Sequence, residues 1–311
     1  MGAPRVSILL PTRDGERDLA RLLPVLERQK IAGGVEFLAT DTASRDRSVE
    51  LLRRAGFAVE TIRPEEFGHG RTRNALASRA RGELLVFFSQ DALPEGEDFV
   101  ERLVAPFADE RVAGTYARML PKPQDDALTA RSALEGPQAG AEPRLFELAP
   151  GTELEALPIE QALEMLAFNN VASAIRARVW RELPFPDVVF GEDFAWAARA
   201  LGAGWRLRYS PECVVHHAHR YGPLSAFERY RVDAAFHRRA HGHRLRPGLL
   251  GLVRGLAHEC LADLAYVRRH GGWGALWRSP FLRGGQVLGQ LYGSRGWRNP
   301  FPGAERTREM V

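Results

Sequence analysis

The segment Glu83-Leu-Leu-Val-Phe-Phe-Ser-Gln-Asp-Ala-Leu-Pro94 constrains this chain most. Its apolar run, Leu84 to Phe88, is too short for a helix and is bracketed by Gly82 and Pro94. Such a run predicts a strand buried on both faces at the centre of a parallel sheet. One carboxylate, Asp91, follows that strand. Ligands of open α/β sheets bind in the crevice outside the carboxyl ends of the strands. Asp91 therefore has two readings: a turn aspartate before Leu-Pro, or a group that holds a cation or phosphate.

The neighbouring sequence supports the sheet. Residues 5–110 alternate strand and helix signals, beginning with a strand at Val6–Leu10 and the turn Pro11-Thr-Arg-Asp-Gly15. A helix is predicted from Glu16 to Lys30, with Leu19, Leu22, Leu23 and Leu26 at helical spacing. Strands follow at Val35–Ala39 and Ala58–Ile62, separated by a helix capped by Ser44, with Asp46 in its first turn. A further helix runs from Phe67-Gly-His-Gly70 to Ala80. This alternation predicts a doubly wound, mostly parallel sheet with right-handed crossovers. Pro121 to Pro158 has no clear period and reads as a long loop, a usual place for substrate contacts. Strands are predicted at Leu166–Ile175, Trp205–Tyr209 and Cys213–Val215, and helices at Ser225–Ala240 and from Pro247 to about Val267.

Several function classes lose their support. No Gly-x-Gly-x-x-Gly follows the first strand, and no Gly-x-x-x-x-Gly-Lys-Ser/Thr occurs, so dinucleotide and P-loop sites are not indicated. There is no Gly-x-Ser-x-Gly nucleophile turn. Cys213 and Cys260 are the only cysteines, which excludes a disulfide framework and a four-cysteine zinc site. Strand-like residues begin almost at once and no run of 18 apolar residues occurs, so a cytoplasmic protein is the expectation. Charge is unevenly placed. Residues 220–311 hold 16 Arg and 6 acidic residues, net +10, against −6 for the rest. A basic C-terminal third suggests an anionic partner, a phospholipid surface or a nucleic acid, or else a solvated face with no partner.

Two other clusters carry chemistry. Gly191-Glu192-Asp193 opens a predicted helix, where acidic residues also suit the dipole. Val214-Val-His-His-Ala-His-Arg-Tyr221 places three histidines within four residues, and His217 and His219 share a face if extended. Imidazole is a good ligand for a divalent transition ion.

Five motifs then fall into a familiar order: Val6-Ser-Ile-Leu-Leu-Pro-Thr-Arg13, Asp41-Thr-Ala-Ser-Arg-Asp-Arg-Ser48, His69-Gly-Arg-Thr-Arg-Asn-Ala75, Phe88-Ser-Gln-Asp-Ala92 and Gly191-Glu-Asp193. Over roughly residues 5–240 the chain resembles family 2 glycosyltransferases of the GT-A fold. Ser89-Gln-Asp-Ala92, the Leu120-Pro-Lys-Pro loop and His217-Ala-His-Arg-Tyr221 look most like the bacterial rhamnosyltransferase-like branch. The resemblance implies a Rossmann-like, mostly parallel sheet flanked by helices, as a nucleotide-sugar-binding and catalytic domain over residues 1–220. A basic helical extension over 221–311 completes the expected architecture.

The implied reaction is inverting sugar transfer from a nucleoside-diphosphate sugar to a hydroxyl of a saccharide or lipid-linked acceptor. The transition state is oxocarbenium-like and the diphosphate leaves with growing negative charge, which a divalent cation (Mg²⁺ or Mn²⁺) compensates. By resemblance, Asp91 and His217 are metal ligands and His219 a second candidate. Ser89 stands where the family usually has its first aspartate. Pro11, Thr12, Arg13, Asp41, Arg73, Gln90 and Asp91 match donor-binding positions. Asp193 matches the general base, with Glu192 orienting the acceptor and Arg199 placed to pair with either carboxylate. Asn74 has a packing or capping role as its other reading.

A non-catalytic nucleotide-sugar or polyanion-binding protein is the alternative, motivated by Ser89 and the basic C-terminal third. A nucleotidyltransferase would need a Gly-rich loop after the first strand, where only Gly15 occurs. No nucleic-acid partner is expected. The basic C-terminal helices, with Trp273, Trp277 and the segment Pro280–Tyr292, suggest a peripheral contact at the inner membrane face or helices packed on the catalytic body.

Overall fold

The computed structural model describes residues 4–246 and 248–300. The first compact unit comprises residues up to Leu120 and Gly136–His217; the second comprises Pro121–Glu135 and the chain from Ala218.

The first unit begins as the alternation predicts. Strand β1 (Val6–Thr12) leads to α1 (Glu16–Glu27), β2 (Val35–Asp41), α2 (Ser48–Arg54), β3 (Ala58–Thr61), α3 (His69–Arg79) and β4 (Leu84–Phe88). These four strands are parallel in the order β3-β2-β1-β4. All five residues of β4 are buried. Leu84, Val86 and Phe88 join the apolar layer that holds α1, whereas Leu85 and Phe87 join the layer that holds Trp196. Alternate residues of a strand point to opposite faces, so β4 is covered on both sides.

The rest of the sheet is mixed. After β5 (Leu93–Pro94), α4 (Phe99–Val104) and β6 (Val112–Leu120), the chain forms α5 (Ala127–Leu134), β7 (Arg144–Phe146), α6 (Ile159–Met165), β8 (Ala172–Arg176), α7 (Ala177–Glu182), α8 (Glu192–Gly202) and β9 (Arg206–His216). The strand order continues β4-β8-β6-β9-β5, with β7 also on β9. Six of the nine strands run one way; β5, β7 and β8 oppose them. The sheet is therefore mostly parallel, but β4 has one parallel neighbour, β1, and one antiparallel, β8.

Other boundaries differ from the sequence expectation for physical reasons. Ser44 does not cap α2, which starts at Ser48; its hydroxyl is engaged by Asp41 and by the Asp14 amide. Pro121–Pro158 is not a structureless loop but contains α5, β7 and short 3-10 turns. The strand expected at Leu166–Ile175 is shorter and later, at Ala172–Arg176. The two short strands expected after Trp205 are one irregular strand, β9, whose register shifts against β6 after Ala117. Pro247 lies outside the described residues.

The second unit also includes α9 (Pro223–His241), α10 (Leu249–His270) and α11 (Ser279–Arg295). Helices α9 and α11 pack backbone to backbone. A side chain on Gly285, Gly289 or Gly293 would begin only 2.1, 2.3 or 2.3 Å from the carbonyls of Pro223, Phe227 and Arg231. Helix α5 is tied in by a buried ionic knot. Asp263 is fully buried and accepts from Arg131 (2.6 Å), Arg283 (2.7 and 2.9 Å) and the Ser279 hydroxyl (2.5 Å). Among the described residues, no helix is long and apolar enough to cross a membrane.

Candidate active site

The C-terminal ends of β1 and β2 carry the first group of side chains. Register pairs Thr12 with Asp41, so the ends of the two strands are level. Asp41 is fully buried and accepts from both the amide of Ser44 (2.9 Å) and its hydroxyl. Ser44 in turn accepts from the Asp14 amide (2.8 Å), and Asp14 accepts from the Arg45 amide (2.7 Å). The loops after β1 and β2 are thus laced together. Asp14 and Ala43 both sit at positive φ, 44° and 49°, a conformation that costs energy for a non-glycine residue and recurs at functional loops. The buried hydroxyls of Thr40 and Thr42 have no hydrogen-bond partner.

Gln90, just past β4, reaches back to the β1 loop. Its carbonyl accepts from the Thr12 hydroxyl (2.6 Å) and the Arg13 amide (2.9 Å), and its amide donates to the Arg13 carbonyl (3.1 Å). The side chain mimics a strand partner for Arg13. Gly15 makes room for it, since a Cβ there would start 2.5 Å from the Gln90 oxygen.

Asp91 meets the histidine cluster through strand pairing. Strand β5 runs antiparallel to β9, with Leu93 opposite His216 and Pro94 opposite Val215. The tight turn between β4 and β5 therefore brings Asp91 beside the end of β9. Asp91 Oδ1 and His217 Nδ1 lie 3.1 Å apart, with both side chains largely buried. His216, the residue before, contacts Glu95 at 2.5 Å. Asp91, His217 and His219 each offer one ligand atom, all within 4.8 Å of one another. One carboxylate oxygen and two imidazole nitrogens are a chemically sound donor set for a divalent cation. Ser89 holds the backbone instead of adding a carboxylate: its amide donates to the Val171 carbonyl and its own carbonyl accepts from Ala92.

The third group is centred on the start of α8, where Gly191 adopts a left-handed conformation. Glu192 is buried and paired with buried Arg73 of α3 at 2.8 Å. Asn170 Nδ2 lies 3.4 Å from the same Glu192 oxygen, and Asn170 Oδ1 accepts from Ser173 (2.9 Å). The adjacent Asp193 accepts from its neighbour Phe194 (2.9 Å) and from the Asn170 amide (3.3 Å). Burial raises the Asp193 carboxyl to about 7, the negative charge of Glu192 pushes the same way, and the Arg73 guanidinium opposes both. That value suits proton transfer near neutrality.

The structure thus gathers Pro11, Thr12, Arg13, Asp41 and Gln90 at one rim, and Asp91 with His217 and His219 in one carboxylate–imidazole cluster. Arg73 is on Glu192. Arg199 donates to the Pro184 carbonyl (2.8 Å) and not to either carboxylate. Asn74 has the packing role: it donates to Phe185 and accepts from Trp180 and the Phe185 amide. Asn170 and Ser173 were missed by the sequence reading. The signal for them was the polar pair Asn169-Asn170 breaking an otherwise apolar segment.

A family model described as glycosyl transferase family 2 matches residues 7–154. The O-antigen chain rhamnosyltransferase RfbN of Salmonella typhimurium is 27% identical over 239 residues, covering 75% of this chain and 72% of that protein. The O-antigen chain rhamnosyltransferase WbaN of Salmonella anatum is 30% identical over 207 residues, covering 65% of this chain and 62% of that one. Among solved structures, the mannosyltransferase PcManGT from Pyrobaculum calidifontis, in complex with GDP-Man and Mn²⁺, superposes with a TM-score of 0.60 at 18% identity, covering 95% of this chain and 87% of that one. Residues 1–349 of S. aureus TarS in complex with UDP give 0.50 at 16% identity, covering 94% and 90%. The structural likenesses show the GT-A fold. Motif order, fold and the sequence relatives point the same way: the chain is a glycosyltransferase whose residues 7–154 match family 2, and it is similar to O-antigen chain rhamnosyltransferases.

Proposed function

We propose that this chain moves a sugar from a nucleoside-diphosphate sugar to a hydroxyl of a saccharide or lipid-linked glycan, with inversion, and that Asp193 is the general base. The observation that carries this reading is the half-buried Asp193 carboxyl, raised to about 7 beside the buried Arg73–Glu192 pair. The two Salmonella relatives are O-antigen chain rhamnosyltransferases, which supports a deoxyhexose donor and a growing saccharide chain as acceptor. The alternative of a non-catalytic binding protein is not favoured, because a lost motif aspartate is offset by a complete base region.

In this reading the loops after β1 and β2 hold the nucleoside, with Asp41 at the base and Pro11, Thr12 and Arg13 beneath it. Gln90 sets the position of Arg13. Asp91, His217 and His219 would hold a divalent cation that compensates charge on the leaving diphosphate. The imidazole-rich set favours Mn²⁺ over Mg²⁺, which prefers oxygen ligands alone. Asp193 takes the proton of the acceptor hydroxyl. The acceptor oxygen bonds to the anomeric carbon as the carbon–phosphate-oxygen bond breaks on the opposite face, and the diphosphate departs with that electron pair. Glu192, held by Arg73 and Asn170, fixes the start of α8 and keeps negative charge beside the base.

The test is donor turnover by the purified full chain with and without Mn²⁺, over a panel of UDP-, dTDP- and GDP-sugars. Asp193→Asn is expected to lower kcat by about 10²–10⁴-fold while leaving nucleotide affinity unchanged. Full activity in that variant would remove Asp193 from the mechanism. Tight nucleotide binding with no transfer or hydrolysis of any donor would favour the binding protein instead.

A further inference from the structure

The second unit exposes large apolar side chains that its own core does not use. On α10, Leu250, Val253 and Leu261 are 62%, 64% and 65% exposed. With the exposed Ala257 and Ala265 they follow helical spacing along one side of the helix. The next segment adds Trp273, Trp277 and Phe281, four residues apart and 59%, 70% and 62% exposed. A single exposed leucine is ordinary, but successive large aromatic and aliphatic side chains left in water mark an interaction surface.

The charges of the same unit are sorted. The acidic residues of α10 are spent within the unit: Asp263 on Arg131 and Arg283, and Glu259 on Arg131. Glu228 of α9 pairs with Arg231, and Asp126 with Arg278 and Arg220. Arg254, Arg268 and Arg269 stay exposed on α10, and among the described residues no acidic side chain pairs with Arg254 or Arg268. What faces outward is therefore apolar and cationic. Indole rings settle at the headgroup level of a bilayer, and guanidinium groups pair with lipid phosphates while their stems cover apolar surface. A second copy of this chain fits less well. A two-fold contact through this face would set the arginines of both copies against one another.

We infer that the outward face of α10, with Trp273, Trp277 and Phe281, docks on an anionic phospholipid surface. The inference stands apart from the transfer chemistry, because it rests on none of the residues at the sheet's rim. It explains why a chain with no membrane-crossing helix among its described residues carries so many arginines and exposed tryptophans in one unit.

The experiment uses the full chain and two kinds of vesicle: phosphatidylethanolamine with phosphatidylglycerol, and phosphatidylcholine alone. Co-sedimentation with the anionic vesicles is expected, at least about tenfold weaker on the neutral ones and falling as salt is raised. Trp273→Ser with Trp277→Ser should weaken binding about tenfold at constant salt, and Arg254→Glu with Arg268→Glu should abolish the preference for anionic lipid. Both variants should keep the circular dichroism spectrum of the parent and its donor turnover with a soluble saccharide acceptor. Sedimentation with neither vesicle, or equally with both, overturns the inference. So does a dimer, seen by light scattering, that the tryptophan variant dissociates, because the face then belongs to a second copy.

Discussion

An aspartate at its ordinary pKa near 3.9 is a weak base in water, and Asp193 escapes that limit because burial and the Glu192 charge make its ionised form costly. Arg73 pulls the other way, so the three groups set one value between them. The acid limb of the kcat profile should report it. Glu192→Gln removes a negative neighbour and should move that limb to lower pH, whereas Arg73→Met removes the positive one and should move it up. Arg73→Met should also cost about 3–5 kcal/mol, since it leaves Glu192 buried without its partner. A pH–rate profile paired with urea unfolding checks both, and limbs that stay put in both variants would detach Asp193 from the rate. The sign for stability runs opposite to that for activity. The folded state binds the Asp193 proton more tightly than the unfolded chain from about pH 4 to 7, so stability falls as pH rises through that window. Asp193→Asn should therefore be more stable than the parent above pH 7 while being nearly inactive. The place of Glu192 and Asp193 at a helix start was legible in Gly191-Glu-Asp193. The Arg73–Glu192 pair was not, because its members are 119 residues apart and nothing local in either motif names the other.

Strand β4 and the turn after it do two jobs that the sequence expresses unequally. The apolar run announces burial, and all five residues are buried. The antiparallel neighbour β8 was hidden, because burial on both faces reads the same whichever way a neighbour runs. The pairing of β5 with β9 was hidden too: a two-residue strand ending in proline has no period to detect. Yet that pairing is what delivers Asp91 to His217. Gln90, one residue earlier, looks in sequence like filler between serine and aspartate, but its amide holds the Arg13 backbone at both ends. Gln90→Leu keeps the volume and loses all three hydrogen bonds. It should raise the KM for the donor about tenfold with a smaller change in kcat, since the loop is loosened and the base untouched. A drop in kcat with unchanged KM would mean that Gln90 acts elsewhere in the cycle.

Across the whole molecule, charge is divided by task. The first 219 residues carry a net −6 and hold the rim residues, although the diphosphate of the donor is itself an anion. Arg73, the arginine expected at that diphosphate, is committed to Glu192. Little fixed positive charge is then offered by the residues gathered at Asp91, and in the proposed reading a cation held there supplies it. Ser89 makes the set weaker than one with two carboxylates, so the ion and the nucleotide should bind as a linked pair, each raising the affinity for the other by the same factor. Thermal unfolding reads this linkage directly. Mn²⁺ alone or a nucleoside diphosphate alone should shift the transition of the first unit little. The two together, at a hundredfold excess over their joint dissociation constant, should stabilise it by about 2.7 kcal/mol, or roughly 6 °C. His217→Ala should abolish the joint shift without lowering the melting temperature of the ligand-free protein by more than a few degrees. Ser89→Asp should instead let Mn²⁺ produce a shift by itself, because a second carboxylate supplies the hard oxygen that serine lacks. Equal shifts for nucleotide with and without Mn²⁺ would show that positive charge from the protein, and not a bound cation, meets the diphosphate.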